Sequence, residues 1–165
     1  MPPIEDRAHR RPVPRARAWI RVGLVAVGVV LADQLTKRAV RHSIVPGEEL
    51  KLLPGVQIVN TRNHGVAFGL FPGGGAAVTI LIALALLALL VYFARHSSES
   101  LIWLPTGLLI GGALGNIADR VRAGSVTDFV KLPLGWPPFN LADASITLGI
   151  LILFLLIDHM RRVDP

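Results

Sequence analysis

The sequence predicts an all-α polytopic membrane protein with four transmembrane helices and a small extracytoplasmic β-rich element between the first helix and the second. Two observations support this fold class. Hydrophobic residues make up 52% of the 165 positions and charged residues only 17%, whereas soluble domains average about 45–50% and about 25%. The apolar residues are also concentrated, because residues 76–94 and 101–118 contain no charged side chain. Runs of about 20 apolar residues can cross a bilayer core, so a water-soluble monomer is not expected.

The four helices are predicted at about residues 19–40, 76–94, 101–119 and 140–158, in one membrane domain that covers 19–158. Residues 1–18 are rich in Pro and Arg and are predicted to form a disordered cytoplasmic tail. Residues 159–165 are predicted to form a second, short cytoplasmic tail. Residues 41–75 alternate short apolar stretches with Pro-Gly breaks, which is typical of strands. Residues 120–138 contain several Pro and Gly residues and are predicted to form a loop.

The basic charge predicts orientation in a membrane. Six of the 17 basic residues lie between Arg7 and Arg21, directly before and at the start of the first apolar run. Such a cluster usually stays in the cytoplasm, and an even number of helices returns the chain to the same side. Both termini are therefore expected in the cytoplasm and the β-rich element outside it. Nucleic acid is not an expected partner, because no recognition motif accompanies the charge.

Cysteine and histidine usage limits the possible chemistry. The chain contains no cysteine, which excludes disulfides, thiolate zinc sites and cysteine nucleophiles. Its five histidines are scattered, without an HExxH motif. The sequence therefore predicts an activity that uses neither a metal nor another cofactor.

Carboxylates and amides are predicted to gather at the outer membrane face. This topology places several polar side chains at one depth, although they are far apart in sequence: Asp33, Asn60, Arg62, Asn63, Asn116, Asp119, Asp128, Asn140 and Asp143. Ionisable groups in membrane segments are costly, and they persist where they pair, meet water or do chemistry. Two neighbouring carboxylates can share one proton, so that one activates water and the other polarises a carbonyl. That arrangement is typical of aspartic peptidases.

Several of these residues also have a purely structural interpretation. Asp128 could end a simple turn that begins at Ser125. Asn140 and Asp143 fit a helix N-cap with an acid at its third position. Asp33 and Lys37 have the spacing of an i, i+4 ion pair. Asp119 and Arg120 fit an ion pair at the membrane interface. Another structural feature is the four-residue spacing of Gly107, Gly111 and Gly115, which permits close helix packing.

Five ordered sequence blocks carry a resemblance to a known family. They are Asp33-Gln34-Leu35-Thr36-Lys37, Asn63-His64-Gly65-Val66-Ala67-Phe68, Gly111-Gly112-Ala113-Leu114-Gly115-Asn116-Ile117-Ala118-Asp119-Arg120, Val126-Thr127-Asp128-Phe129 and Phe139-Asn140-Leu141-Ala142-Asp143. In this order and spacing they resemble the motifs of bacterial lipoprotein signal peptidase, or signal peptidase II, over about residues 20–158. One departure is Val66, where the family more often has Ala.

The resemblance implies an intramembrane aspartic endopeptidase in the bacterial cytoplasmic membrane, with its active site at the extracytoplasmic face. Its substrates would be diacylglyceryl-modified prolipoproteins, cut on the N-terminal side of the lipid-modified cysteine. Asp128 and Asp143 match the catalytic pair of the family. The matches to its supporting polar residues are Asp33, Lys37, Asn63, Asn116, Asp119, Arg120 and Asn140. Membrane lipid is the other expected partner, and a monomer is the expected state.

Three other functions fit the sequence less well. A serine–lysine signal peptidase would need a nucleophile motif, and GxSxG is absent from the sequence. A proton-coupled carrier predicts an inverted repeat and acids near mid-membrane, whereas these acids lie at predicted helix ends. A structural scaffold has no need for Asp128 and Asp143 together.

Overall fold

The computed structural model describes residues 15–64, 75–96, 101–133 and 135–163. Within these ranges the chain forms four helices and three strands, which we number in chain order. The helices are α1 (Arg15–Ser43), α2 (Gly75–His96), α3 (Trp103–Ala123) and α4 (Leu141–Val163), and the strands are β1 (Glu49–Leu53), β2 (Val56–Asn63) and β3 (Val126–Lys131). The predicted tail at 1–14 and the Val66 position lie outside the described residues.

The outer helix boundaries differ from the predicted ones. Helix α1 begins at Arg15, so the prediction of a disordered tail was wrong for residues 15–18, whose Arg and Ala residues are strong helix formers. Helix α4 continues to Val163, where the tail was expected from residue 159, and an Arg162–Asp158 ion pair of 2.8 Å spans its last turns. Helix α3 ends at Ala123, and Gly124 follows in the left-handed conformation with φ 67°.

Helix α3 packs against the other helices through small residues. A Cβ atom on Gly111 would lie 2.8 Å from the Ala26 carbonyl oxygen of α1, and one on Gly112 would lie 2.5 Å from the Ala142 carbonyl oxygen of α4. Glycine is needed at both positions because the backbones approach too closely for a side chain. The predicted packing role of this glycine spacing is confirmed at Gly111.

The strands form one antiparallel sheet in the order β1-β2-β3. Strands β1 and β2 lie in the element predicted between the first two helices, with Leu50 opposite Ile58. The third strand was missed, because β3 lies inside the predicted loop at 120–138. It pairs with β2, with Thr61 opposite Asp128, and thereby ties the segment after α3 to the segment after α1.

Many large apolar side chains point outward from the helices. They include Leu24 and Leu35 of α1, which are 69% and 65% exposed, and Phe154 of α4, which is 68% exposed. By length and composition, α1 and the Leu141–Met160 part of α4 could each cross a membrane, and α2 contains a shorter apolar stretch, Leu84–Arg95. Two of the described helices therefore have the length and composition of a membrane span.

Candidate active site

The N-terminus of α4 contributes Asn140 and Asp143 through a reciprocal cap. The Asp143 backbone N–H donates to Asn140 Oδ1 over 2.9 Å, and the Asn140 backbone N–H donates to Asp143 Oδ2 over 3.2 Å. This is a capping box with Asn and Asp in the two capping positions. The N-cap interpretation of these residues is therefore correct, and the cap fixes both side chains beside each other.

Strand β3 brings Asp128 to the same point. The chain turns back after β3, so that the backbone N–H groups of Phe129 and Val130 both donate to the Phe139 carbonyl oxygen, over 3.0 and 2.8 Å. Asn140 follows Phe139 directly, and its Nδ2 donates to Asp128 Oδ1 over 2.6 Å. Asn140 therefore bonds to Asp128 through its side chain and to Asp143 through its backbone.

The second oxygen of Asp128 is held by β2. Asn63 Nδ2 donates to Asp128 Oδ2 over 3.0 Å, and the Thr61 hydroxyl donates to the Asp128 carbonyl oxygen over 2.9 Å. Both contacts follow from the β2–β3 register, which places Thr61 opposite Asp128. The sheet thus fixes both the backbone and the carboxyl group of Asp128.

Helix α3 supplies Asn116, whose amide joins the acids to a buried cation. Its Nδ2 donates to Asp143 Oδ1 over 2.7 Å. Its Oδ1 accepts from Asn140 Nδ2 over 3.2 Å and from Lys37 Nζ over 2.9 Å. Because Lys37 can only donate, the amide orientation is fixed with its NH₂ group toward Asp143.

Lys37 has a complete set of acceptors although its side chain is fully buried. Its Nζ lies 2.8 Å from Asp33 Oδ2 and 3.2 Å from Asp119 Oδ2, and the third acceptor is Asn116. Three acceptors match the three N–H donors of an ammonium group. The predicted i, i+4 pair of Asp33 and Lys37 is therefore present. Asp119 was expected to pair with Arg120, but its carboxylate forms an ion pair with Lys37.

Asp33 and Asp119 also hold the backbone around the acids. Asp33 Oδ1 accepts from the Ala142 backbone N–H over 3.0 Å, which satisfies another free amide in the first turn of α4. Asp119 Oδ2 accepts from the Thr127 backbone N–H over 3.1 Å, next to Asp128. A Cβ atom on Gly115 would lie 2.7 Å from Asp33 Oδ2, so this buried carboxylate can occupy its place because residue 115 is glycine.

The surroundings of Asp128 favour its protonated form. Burial raises the pKa of Asp128 to about 6, and the negative charge of Asp143 raises this pKa as well. Hydrogen bonds from Asn63 and Asn140 and the charge of Lys37 act in the opposite direction. Asp128 is therefore a carboxyl group that can hold a proton at mildly acidic pH beside a second carboxyl group.

The predicted catalytic pair and all seven predicted supporting residues lie in this one network, whereas Asn60 and Arg62, which were also expected at this face, do not. Asn60 Nδ2 donates instead to the Ile44 carbonyl oxygen over 2.8 Å. Arg120 is at its edge, with Nη1 donating to the Asn116 carbonyl oxygen over 3.4 Å. Sequence analysis missed Gln34, whose Nε2 donates to Asp119 Oδ1 over 3.1 Å, and Arg41, whose Nη1 donates to Thr127 Oγ1 over 3.0 Å. Gln34 stands inside a quoted motif and Arg41 lies one helical turn after Lys37, so motif membership and helical spacing were the available signals.

In the part of the chain that the structure describes, no group of three or more His, Asp or Glu side chains is arranged to hold a metal ion. The expectation of an activity without a cofactor stays a prediction.

Comparison with known proteins identifies the family. The family model described as "Signal peptidase (SPase) II" matches residues 25–159. The chain belongs to the signal peptidase II family. The resemblance predicted from the five sequence blocks is thus confirmed.

Three proteins named lipoprotein signal peptidase are similar to this chain over most of its length and support this membership. The lipoprotein signal peptidase of Halothermothrix orenii is 34% identical over 143 residues, which cover 86% of this chain and 98% of the relative. That of Syntrophomonas wolfei is 41% identical over 137 residues, covering 81% and 91%. That of Burkholderia thailandensis is 38% identical over 152 residues, covering 88% and 89%.

Two solved structures described as bacterial membrane enzymes share the fold. One matches with a TM-score of 0.82 at 31% identity and covers 87% of this chain and 91% of its own. The other matches with a TM-score of 0.76 at 33% identity, covering 82% and 91%. This signal peptidase II is therefore a membrane protease, and the residues described above are its candidate active site.

Proposed function

We propose that this chain is an intramembrane aspartic endopeptidase in which Asp128 and Asp143 are the catalytic pair. The observation that carries the proposal is the bridge through Asn140, whose side chain bonds to one carboxyl group and whose backbone bonds to the other. Two carboxyl groups held so close cannot both ionise at low cost. One shared proton then gives the acid and the base that peptide hydrolysis needs.

We assign the shared proton to Asp128, whose pKa is raised to about 6, so that Asp128 acts as the acid and Asp143 as the base in this mechanism. Asp143 takes a proton from water while the water oxygen attacks the scissile carbonyl carbon, and Asp128 gives its proton to the carbonyl oxygen. When the C–N bond breaks, the proton on Asp143 passes to the leaving amine. One hydroxyl of the tetrahedral intermediate then returns a proton to Asp128, so the pair is restored.

We propose a diacylglyceryl-modified prolipoprotein as the substrate, cut on the N-terminal side of its lipid-modified cysteine. The name "lipoprotein signal peptidase" of the relatives supports this substrate class. The exposed apolar helix surfaces support it too, because acyl chains can remain in lipid beside them while the scissile bond reaches the acids. Burial of a lipid chain contributes about 0.8 kcal/mol per methylene, so we expect the lipid to provide much of the binding.

All four helices span the membrane in this proposal, with both termini in the cytoplasm and the acids at the extracytoplasmic face. The end of α1, the end of α3 and the start of α4 meet at the acids, which an alternating up-and-down path requires. The sheet lies at that end, and exposed leucines of β1, at 51% for Leu50 and 62% for Leu52, can contact the lipid surface. A monomer suffices, because one chain supplies both carboxyl groups and all their contacts.

The test is cleavage of a lipid-modified precursor in detergent micelles by Asp128→Asn and Asp143→Asn. Each variant should lose between about 10²- and 10⁴-fold in activity, the usual range for general acid–base catalysis, and the two losses should not add. Asp158→Asn is the matched control, since Asp158 forms an exposed ion pair with Arg162 far from the site. It should cleave like the unaltered protein. Substantial activity in either folded variant would overturn the catalytic pair.

The same assay tests the substrate class. A precursor without the diacylglyceryl group should be cleaved far more slowly by the unaltered enzyme. Equal cleavage of the two precursors would contradict the lipid requirement while leaving the catalytic pair in place.

A further inference from the structure

A cavity with a volume of about 180 Å³ opens where the ends of α1 and α3 meet the sheet. Three of its lining side chains are arginines, Arg41, Arg62 and Arg122, and we call it the arginine cavity. Gln34, Asp119 and Thr127 contribute polar groups to it. The mechanism proposed above uses none of the three arginines.

The arginine cavity lies on the other face of the sheet from the catalytic carboxyl group. Arg62 of β2 is paired with Thr127 of β3, and paired residues project from the same face of a sheet. Successive residues of a strand project from opposite faces. Asp128 therefore points away from the face that carries Thr127 and Arg62. The strand separates the arginine cavity from the Asp128 carboxyl group, although Gln34, Arg41 and Asp119 line the cavity and also contact the active-site network.

Most guanidinium donors in this cavity have no protein partner among the residues described. Arg41 uses Nη1 for the bond to Thr127 and lies 3.9 Å from Asp119 Oδ1, and Arg122 uses Nη1 for a 3.2 Å bond to Gln34 Oε1. Arg62 forms no ion pair or hydrogen bond within the described ranges. The one carboxylate, Asp119, is already paired with Lys37. The cavity is thus rich in unused N–H donors and strongly cationic.

Helix dipoles explain part of this cluster. Arg41 lies in the last turn of α1 and Arg122 in the last turn of α3, where basic side chains offset the partial negative charge of a helix C-terminus. That explanation does not extend to Arg62, which stands on a strand and still lines the same cavity. Three positively charged side chains around the arginine cavity favour the binding of an anion there.

We propose that the arginine cavity binds the phosphate group of an anionic phospholipid. Guanidinium groups match phosphate oxygens in charge and in bidentate geometry, and basic pockets between transmembrane helices bind anionic headgroups. Helix α1, which is long enough to span the bilayer, ends at this cavity, so the cavity lies at the level of the headgroups. The proposal rests on the membrane location of the chain and is independent of the catalytic pair.

The test measures thermal unfolding of the full chain in nanodiscs of phosphatidylcholine with an increasing fraction of phosphatidylglycerol. The Tm of the unaltered protein should rise with the anionic fraction. The double variant Arg62→Gln/Arg122→Gln should lose at least half of that rise. Arg38→Gln/Lys51→Gln is the matched control, because it also removes two positive charges, from exposed positions outside the cavity, and it should keep the full rise. Only the lipid-dependent change in Tm is compared, so a difference in basal stability does not enter.

Inorganic phosphate in pure phosphatidylcholine nanodiscs is the second arm. It should raise the Tm far less than phosphatidylglycerol does, because a lipid headgroup is held at the cavity by its own acyl chains. An equal effect of inorganic phosphate would identify a free anion as the occupant and overturn the lipid proposal. Equal responses of the double variant and the unaltered protein would overturn the site itself.

Discussion

Replacing Lys37 by Met tests whether the buried cation holds the site together. Met has a similar length and no charge, so the change leaves Asp33, Asp119 and Asn116 without the ammonium that lies 2.8, 3.2 and 2.9 Å from their oxygens. Removing one partner of a buried ion pair costs about 3–5 kcal/mol, because the remaining charge stays uncompensated. We expect a loss of that size in the free energy of unfolding, measured by denaturant unfolding in a mild detergent.

The matched control is Lys131→Met, which breaks an ion pair with Glu49 of only 2.5 Å. Both side chains of that pair are more than a third exposed, and exposed pairs contribute about 0–1 kcal/mol. The shorter contact should therefore matter less, because solvation decides the energy. In the double variant Lys37→Met/Asp33→Asn, part of the loss should return, since one unpaired charge is gone. Similar losses for Lys37→Met and Lys131→Met would refute this reasoning.

Three further predictions concern the pH dependence, the packing and the orientation. The pKa of Asp128 is raised to about 6, and Asp128 acts as the protonated member of the pair. The value of kcat/KM should therefore fall as the pH rises through about 6. A constant kcat/KM across that range would contradict the assignment of Asp128 as the acid. Gly111→Ala should lower the free energy of unfolding by about 1–3 kcal/mol through overpacking, whereas Gly28→Ala, which faces open space, should raise it by about 0.5–1 kcal/mol. In intact cells, a cysteine introduced at Lys51 should react with a membrane-impermeant thiol reagent and one at Arg162 should not, and the reverse pattern would overturn the proposed orientation.

The helices were predictable because each contains a long apolar stretch, and only their ends were misplaced. The third strand was not predictable in the same way. A half-buried strand is recognised in a sequence by alternating apolar and polar residues. Strand β3 is not half-buried, because Val126, Thr127, Asp128 and Phe129 are all buried, and its sequence does not alternate in this way. The strand forms because it pairs with β2, about 65 positions earlier in the chain, and a local pattern does not contain that pairing.

The residue types of the site were predictable, but their contacts were not. Motif order and the predicted topology indicated that the acids and amides lie close together. They did not reveal that Asn116 turns its oxygen toward Lys37 and its NH₂ group toward Asp143. That direction depends on the burial of Lys37 between two helices, which is a tertiary feature. Gln34 and Arg41 escaped notice for the same reason, since their partners lie on α3 and β3.

The structural and catalytic interpretations of the same residues turn out to be compatible. The capping box that starts α4 also fixes Asp143, and the i, i+4 pair of α1 also directs the amide of Asn116 toward that acid. This overlap decides how substitutions must be read. In Asp143→Asn the new NH₂ group has to face either the Asn140 backbone N–H or the Asn116 NH₂ group, and Asn116 cannot turn because Lys37 holds its oxygen. An unsatisfied buried donor costs about 1–3 kcal/mol, so activity lost in this variant reports on catalysis only when it is measured under conditions where the variant remains folded.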